Sequence, residues 1–304
     1  MKHSNIPIIL TLAATTIIIA CDRDELFKRE QYKNQIALLS DDGYNIFEEE
    51  FDLSHEESTG YVVASCGGSH PITQDVVIHL EEDHNLLYKY NRSNYDTDES
   101  KYARKLAGDK YDINKYQVTI LAGERTGRLP VTVRPEGLSP DSIYFIPLKV
   151  QTFSAGEMHP NKTTLLYRVL LKNYYASQKT ATYYNLRGIK NSVNVMGTKQ
   201  VFPISANKVR VIAGNETFAS NTNDIEASSI LLEVNGDGSV KITPWKELQL
   251  TQIDEDPLYP NTFQIEDLGY AYYKTFLLRY DYVYNGTTYQ MQEELRLEFN
   301  PNKE

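Results

Sequence analysis

Thr275-Phe276-Leu277-Leu278-Arg279-Tyr280-Asp281-Tyr282-Val283-Tyr284-Asn285-Gly286-Thr287-Thr288-Tyr289-Gln290-Met291-Gln292-Glu293-Glu294-Leu295-Arg296-Leu297-Glu298-Phe299 reads as one long β-hairpin. Asn285-Gly286 is a strong type I′ turn signal, because both central positions of that turn need positive φ, and the flanks alternate with period two. A two-residue turn sets the pairing: Tyr284 opposite Thr287, Tyr282 opposite Tyr289, Tyr280 opposite Met291. Side chains two apart share a face, so Phe276, Leu278, Tyr280, Tyr282, Tyr284, Tyr289, Met291, Leu295, Leu297 and Phe299 point one way. That face is apolar far from the turn and phenolic near it.

The same alternation recurs upstream in Val76, Ile78, Leu80; in Tyr116, Val118, Ile120; in Leu129, Val131, Val133; and in Tyr144, Ile146, Leu148, Val150. Short strands separated by Gly, Pro, Asn and Asp clusters predict an all-β chain built as a sandwich or barrel. No βαβ spacing occurs, which excludes Rossmann and TIM-barrel folds. Helix is expected only as a solvated tether over 22–33 and as one or two turns over Asp98 to Leu106, stopped by Gly108. The apolar run Leu165 to Leu171 ends at a candidate boundary near 172–176. Lys172 to Lys199 is richer in Tyr, Thr, Asn and Gly and alternates weakly, and strands resume at Val209, Val211 and Ala213, at Leu231 to Val234, and at Val240 and Ile242. The division expected is residues 35–172 and 173–304.

With 31 Lys+Arg against 41 Asp+Glu the net charge is -10, which argues against nucleic-acid phosphates as partners. Two Cys cannot staple 304 residues, so stability rests on buried cores. Residues 1–20 carry Lys2, an apolar run from Ile6 and a closing Ala20. That is the layout of a secretory leader, shorter than the roughly 20 apolar residues a membrane span needs. Ile18-Ile19-Ala20-Cys21 resembles a bacterial lipobox, which implies acylation of Cys21 and a lipid-anchored tether over 21–34. The acid-rich Asp22-Arg23-Asp24-Glu25 resembles the surface-export signal of Bacteroidetes lipoproteins, and implies an outer-membrane location facing the exterior. Cys66, in Ala64-Ser65-Cys66-Gly67-Gly68, has no His or Cys within three residues and reads as a buried, inert thiol.

Tyr88-Lys89-Tyr90-Asn91, Lys110-Tyr111-Asp112-Ile113, Val118-Thr119-Ile120-Leu121-Ala122-Gly123 and Tyr144-Phe145-Ile146-Pro147-Leu148 together resemble the N-terminal domain of Bacteroidetes outer-membrane lipoproteins from polysaccharide-utilisation loci. The resemblance implies an immunoglobulin-like β-sandwich, also found ahead of the catalytic barrel of some family 18 glycoside hydrolases. It implies a lipocalin-like antiparallel barrel of unknown function after it. It spans Gln35 to Phe299 and implies glycan capture beside an outer-membrane glycan importer.

Catalytic signatures are missing. The Asp-x-x-Asp-x-Asp-x-Glu string of family 18 hydrolases does not occur, and Glu48-Glu49-Glu50, Glu81-Glu82-Asp83 and Asp254-Glu255-Asp256 do not match it. His79 and His84 lack zincin spacing, and Asn235-Gly236-Asp237-Gly238 and Ser40-Asp41-Asp42-Gly43 lack a full calcium ligand series, so these read as turns, with no metal or cofactor expected. Asn-x-Ser/Thr strings at Asn91, Asn161, Asn215 and Asn285 also read as turn chemistry. What remains is 23 Tyr and the single Trp245. Sugar rings pack their C–H faces on aromatic faces while their hydroxyls bond to nearby polar groups. The sequence therefore predicts a non-catalytic glycan-binding surface lipoprotein, its site at Tyr280, Tyr282, Tyr284 and Tyr289 near the hairpin turn, with Trp245 and Tyr259 contributed by loops. The competing reading is a structural or adhesive protein such as a fimbrial subunit or anchor, built by strand donation.

Overall fold

The computed structural model describes residues 32–217 and 221–302. The leader over 1–20, the lipidation site Cys21 and the tether as far as residue 31 lie outside the described residues. The remainder is all-β, with four sheets and two short α-helices among the described residues.

Two sheets come from the first half. One orders Glu157–Met158, Gln35–Leu38, Ser58–Gly67, Thr126–Val133 and Tyr111–Asp112; the other orders Ile46–Asp52, Thr164–Lys172, Tyr144–Phe153, Val76–Glu82 and Gln117–Ile120. Their inner faces meet in one core, in which Ile36, Val62, Leu129 and Val131 oppose Phe51, Ile78, Val118, Ile146 and Tyr167. This is the sandwich that the period-two pattern implies. The run Leu165 to Leu171 is apolar on both sides because its second face is covered too: Leu166 and Phe145 pack against Tyr90 of a helix, His84–Tyr95.

That helix was not expected: the sequence reading placed helix only over 22–33 and Asp98 to Leu106. Asp83 caps it, its Oδ1 accepting the Asn85 N–H at 3.0 Å. Buried Asn91 clamps the next loop, donating to the Ala103 carbonyl at 2.9 Å and accepting the Ala103 N–H at 2.8 Å. The helical turns expected over Asp98 to Leu106 shrink to a single 3-10 turn at Glu99–Lys101. Arg104–Lys105 instead extends to pair with the strand Tyr144–Phe153. A second helix, Thr222–Ser228, was not expected; Asn221 caps it through the Asp224 N–H.

The other two sheets come from the second half. A six-stranded sheet runs Val193–Gln200, Tyr183–Lys190, Thr287–Phe299, Tyr272–Tyr284 and Gln249–Gln252, with Thr262–Asp267 also on Tyr272–Tyr284. A four-stranded sheet runs Phe202–Ser205, Lys208–Ile212, Ser229–Val234 and Val240–Pro244. Together they enclose a second core of Tyr184, Leu186, Val209, Val211, Leu232, Ile242, Phe276, Leu278 and Leu295. Where the sheets meet at Val240–Pro244 and Gln249–Gln252, a side chain replaces the ladder: Gln252 accepts the Ile242 N–H at 2.6 Å and donates to the Val240 carbonyl at 3.3 Å.

The closing hairpin has the expected register throughout, with Tyr284 opposite Thr287, Tyr282 opposite Tyr289 and Tyr280 opposite Met291. Asn285 and Gly286 both take positive φ, 49° and 74°. The weakly alternating stretch contains a second hairpin of the same kind, Tyr183–Lys190 with Val193–Gln200, turning at Asn191-Ser192 with φ 47° and 66°. Its outer strand is a sheet edge and mostly solvent-facing, which is why the alternation is faint there.

The halves touch through polar contacts. Both carboxylate oxygens of Asp141 accept from the Arg210 guanidinium, one of them at 2.6 Å. Gln178 donates to the Pro140 carbonyl at 2.9 Å, and Glu50 accepts from the Ser177 hydroxyl and the Lys179 N–H. Asn173, at the end of the last sandwich strand, accepts the Tyr175 and Ala176 N–H groups while its amide donates to the Ser205 and Lys208 carbonyls.

Candidate functional site

The hairpin face divides the predicted residues. Tyr280 and Tyr282 are 0% and 1% exposed, so the accessible platform expected of them is absent. The reason is that their hydroxyls are satisfied inside. Tyr280 OH donates to Glu293 Oε1 at 2.8 Å and accepts the Gly214 N–H at 2.7 Å, while Tyr282 OH donates to Glu216 Oε1 at 2.6 Å. Tyr284 and Tyr289 are half-buried against the same core, and Tyr289 leans on Tyr282 with ring centroids 5.4 Å apart.

Sequence reading missed the charges beneath these rings. Glu293 shares the inward face by simple alternation between Met291 and Leu295, and is wholly buried. Lys199, from the edge strand, pairs with it at 2.5 Å. Lys190 pairs with Glu216 at 2.5 Å and lies 3.9 Å from the Tyr289 ring centre. Each carboxylate thus takes one lysine and one tyrosine. Burial pushes the Lys199 ammonium below the usual lysine range against the pull of Glu293 and Glu216. Burial, then the charge of Glu293, pushes the Tyr280 phenol well above its usual range; burial, then the bond to Glu216, does the same for Tyr282. Gly214 is required here: its φ is +53° and a Cβ would lie 2.1 Å from the Tyr282 hydroxyl.

Trp245 and Tyr259 lie elsewhere. The Arg210 guanidinium sits 5.5 Å from the Trp245 ring centre and 4.7 Å from that of Phe202, so Trp245 belongs to the junction between the halves. Tyr259 lies beside Asp256 and Glu294; burial, then these two charges, raises its phenol. Asp256 accepts from Gln292, which like Glu294 alternates with inward Glu293, so Tyr259 is on the opposite face of the hairpin.

The open aromatic surface is at the other end of the sheet. A groove of about 320 Å³ is lined by Tyr174, Tyr175, Ser177, Thr180, Thr182 and Tyr183, with Lys274 and Leu297 also reaching it. Tyr174 is 46% exposed and Tyr183 52%. Tandem tyrosines explain this. Neighbouring side chains in extended backbone point to opposite sides, so Tyr184 fills the core while Tyr183 faces out. At the bend that Asn173 closes, Tyr175 turns in, edge-on to Phe263 at 4.9 Å, while Tyr174 stays outside. The Lys274 ammonium is 3.8 Å from the Tyr174 ring centre and donates to the Tyr174 carbonyl, which holds that ring in place. The two tandem pairs were the signal available in the sequence. Exposed rings flanked by hydroxyls can receive an amphipathic ligand.

Comparison with known proteins agrees with the two-part architecture. A family model describing an N-terminal domain matches residues 32–156, and another describing a C-terminal domain matches residues 163–296. No curated protein matches the chain. Among solved structures, one of unknown function from Bacteroides ovatus is similar with a TM-score of 0.65 and 16% identity, covering 87% of this chain and 94% of that one. A multidomain protein that includes a domain of unknown function, from the same organism, gives a TM-score of 0.64 at 15% identity over 86% of this chain and 94% of that one. An auxiliary nutrient binding protein from Bacteroides thetaiotaomicron gives 0.58 at 16% identity over 83% of this chain and 90% of that one.

Proposed function

We propose that this chain is a non-catalytic glycan-binding lipoprotein, anchored through Cys21 on the outer face of the outer membrane, that captures oligo- or polysaccharide for an uptake system. The observation that carries the reading is the groove in which Tyr174 and Tyr183 stand exposed among the hydroxyls of Ser177, Thr180 and Thr182. Rigid rings supply contact area at low entropic cost, and the Thr180 and Thr182 hydroxyls, whose protons bond to Ser177, keep oxygen lone pairs that can accept from a sugar hydroxyl. The leader ending in Ile18-Ile19-Ala20-Cys21 supports the placement, and the fold-level likeness to a nutrient binding protein supports the role. The carboxylates of partly buried Glu216 and buried Glu293 are each engaged by a lysine and a tyrosine, which supports a binding rather than hydrolytic part for them.

Native gels containing soluble polysaccharides test this. Retardation by at least one glycan is expected, and Tyr174→Ala and Tyr183→Ala should each abolish most of it, a stacking contact being worth about 0.5–1.5 kcal/mol beyond area burial, with the melting temperature unchanged. Retardation that survives both substitutions moves the site away from the groove. Migration unaffected by any glycan removes the reading.

A further inference from the structure

A second cavity lies within the C-terminal half and away from the tyrosine groove. It is a cleft of about 180 Å³ between the edge strand Val193–Gln200 and the segment Ile212 to Glu216. We propose that this cleft is a binding site for a single neutral sugar ring, an inference that rests on the glycan-binding reading above.

Size comes first. An apolar cavity of roughly 150 Å³ takes one benzene molecule, so this cleft accommodates one six-membered ring and not an extended chain. The walls are amphipathic: Leu186 and Ile212 are apolar, and Met196, 82% exposed on the edge strand, is a flexible thioether at the mouth. The floor is polar and built. Lys199 lines it, almost wholly buried, and among the described residues only Glu293 takes one of its three N–H groups. Glu216 also lines it, with Oε1 occupied by Lys190 and Tyr282 and Oε2 without a partner among the described residues. Thr198, Gln200 and Asn215 add further donors and acceptors at the same cleft.

Charge selects among six-membered ligands. Two ammonium groups, Lys190 and Lys199, face two carboxylates, Glu216 and Glu293, so the site carries no net charge to favour an acid or an amine. An unfilled N–H on a buried ammonium and an unfilled carboxylate oxygen together call for a group that accepts and donates at adjacent positions. Vicinal hydroxyls do this, while their C–H faces suit Leu186 and Ile212.

The test is titration calorimetry on the full mature chain with D-glucose, D-galactose, D-mannose and N-acetyl-D-glucosamine, and with D-glucuronate as the charged comparison. Saturable binding of at least one neutral sugar is expected, weakened about tenfold or more in Glu216→Gln and in the exposed rim variant Asn215→Ala, as loss of a hydrogen bond worth about 1.4 kcal/mol requires. Asn215→Ala keeps the test valid should Glu216→Gln disturb folding. Absence of saturable heat with every neutral sugar, binding of glucuronate alone, or binding indifferent to Asn215→Ala overturns the proposal. Polysaccharide retardation that persists when the monosaccharides fail would overturn the cleft and leave the groove reading standing. Failure of both would remove both.

Discussion

The two cores differ in kind. The sandwich core is lined by aliphatic and aromatic side chains from Ile36 to Leu171, and the only buried polar residue of that half before the linker is Asn91, among the described residues. The second core holds Lys199 and Glu293 in its interior, and Lys274 and Arg210 are buried at its margins. Desolvating a charge costs several kcal/mol, and a buried pair recovers this only with good geometry and further hydrogen bonds. A half that needed stability alone would resemble the sandwich. The contrast is that the N-terminal core is almost wholly apolar, whereas the C-terminal half carries buried charged groups at a stability cost, Lys199 at the cleft and Lys274 at the groove.

The largest expected effect comes from breaking the buried pair. Glu293→Ala leaves Lys199 and Tyr280 without their acceptor and should lower unfolding free energy by about 3–5 kcal/mol in urea titrations. The double variant Lys199→Met with Glu293→Leu should recover most of that loss, since an apolar pair of similar volume is often neutral or better. Equal losses in the single and double variants would mean the two residues are not coupled and that the second core tolerates charge for no energetic reason visible here.

An intermediate effect is expected in the sandwich, whose closest counterpart is half-buried Glu82. Its carboxylate accepts from Tyr111 and from Tyr116 at 2.9 Å and pairs with Lys105. Burial alone would raise its pKa, but the bonds from Lys105, Tyr111 and Tyr116 outweigh it and hold the carboxyl below the usual range. Its stabilisation is therefore present above the ordinary carboxylate pKa of about 4.3 and lost as pH falls through the lowered folded value. Tyr116 sits on the other side: burial, then Glu82, raises it to about 12, so its contribution is complete below pH ~10 and is lost as pH rises through 12. Glu82→Gln should cost on the order of 1–2 kcal/mol at pH 7 and flatten the acid limb of the stability curve. An unchanged acid limb would show that this cluster does not set the acid response of the sandwich.

The smallest effect separates the two hairpins of the six-stranded sheet. Asn285-Gly286 puts glycine at the second positive-φ position, whereas Asn191-Ser192 puts serine there at φ 66°. Ser192→Gly should raise stability by about 0.5 kcal/mol through relief of that strain. A loss instead would show that serine contributes something the turn geometry does not require.

Much of this architecture was legible in the sequence, and the failures have physical causes. The closing hairpin was readable to the residue because a two-residue turn and period-two alternation leave no freedom in register. Glu293 lay on the inward face in that same register, but nothing local marks a carboxylate as buried, since its partner Lys199 is 94 residues away in sequence. The helix His84–Tyr95 hid behind asparagines and tyrosines of modest helix propensity, with Asp83 its one clear start signal. The turns expected at Asp98 to Leu106 yielded to tertiary pairing of Arg104–Lys105 with a strand edge. The exposed groove was missed because alternation was sought in long strands, and the outward member of each Tyr-Tyr pair is a local sign of the opposite kind.

The sole tryptophan and Cys66 fall on different sides of the boundary. Trp245 rests beside Arg210, which Asp141 holds from across the junction, whereas Cys66 is sealed in the sandwich, where burial raises its thiol pKa and slows its reaction. With Cys21 replaced, the chain is thus a two-channel recorder: indole emission follows the second half and its docking, thiol capture kinetics follow the opening of the first, and neither needs an introduced label.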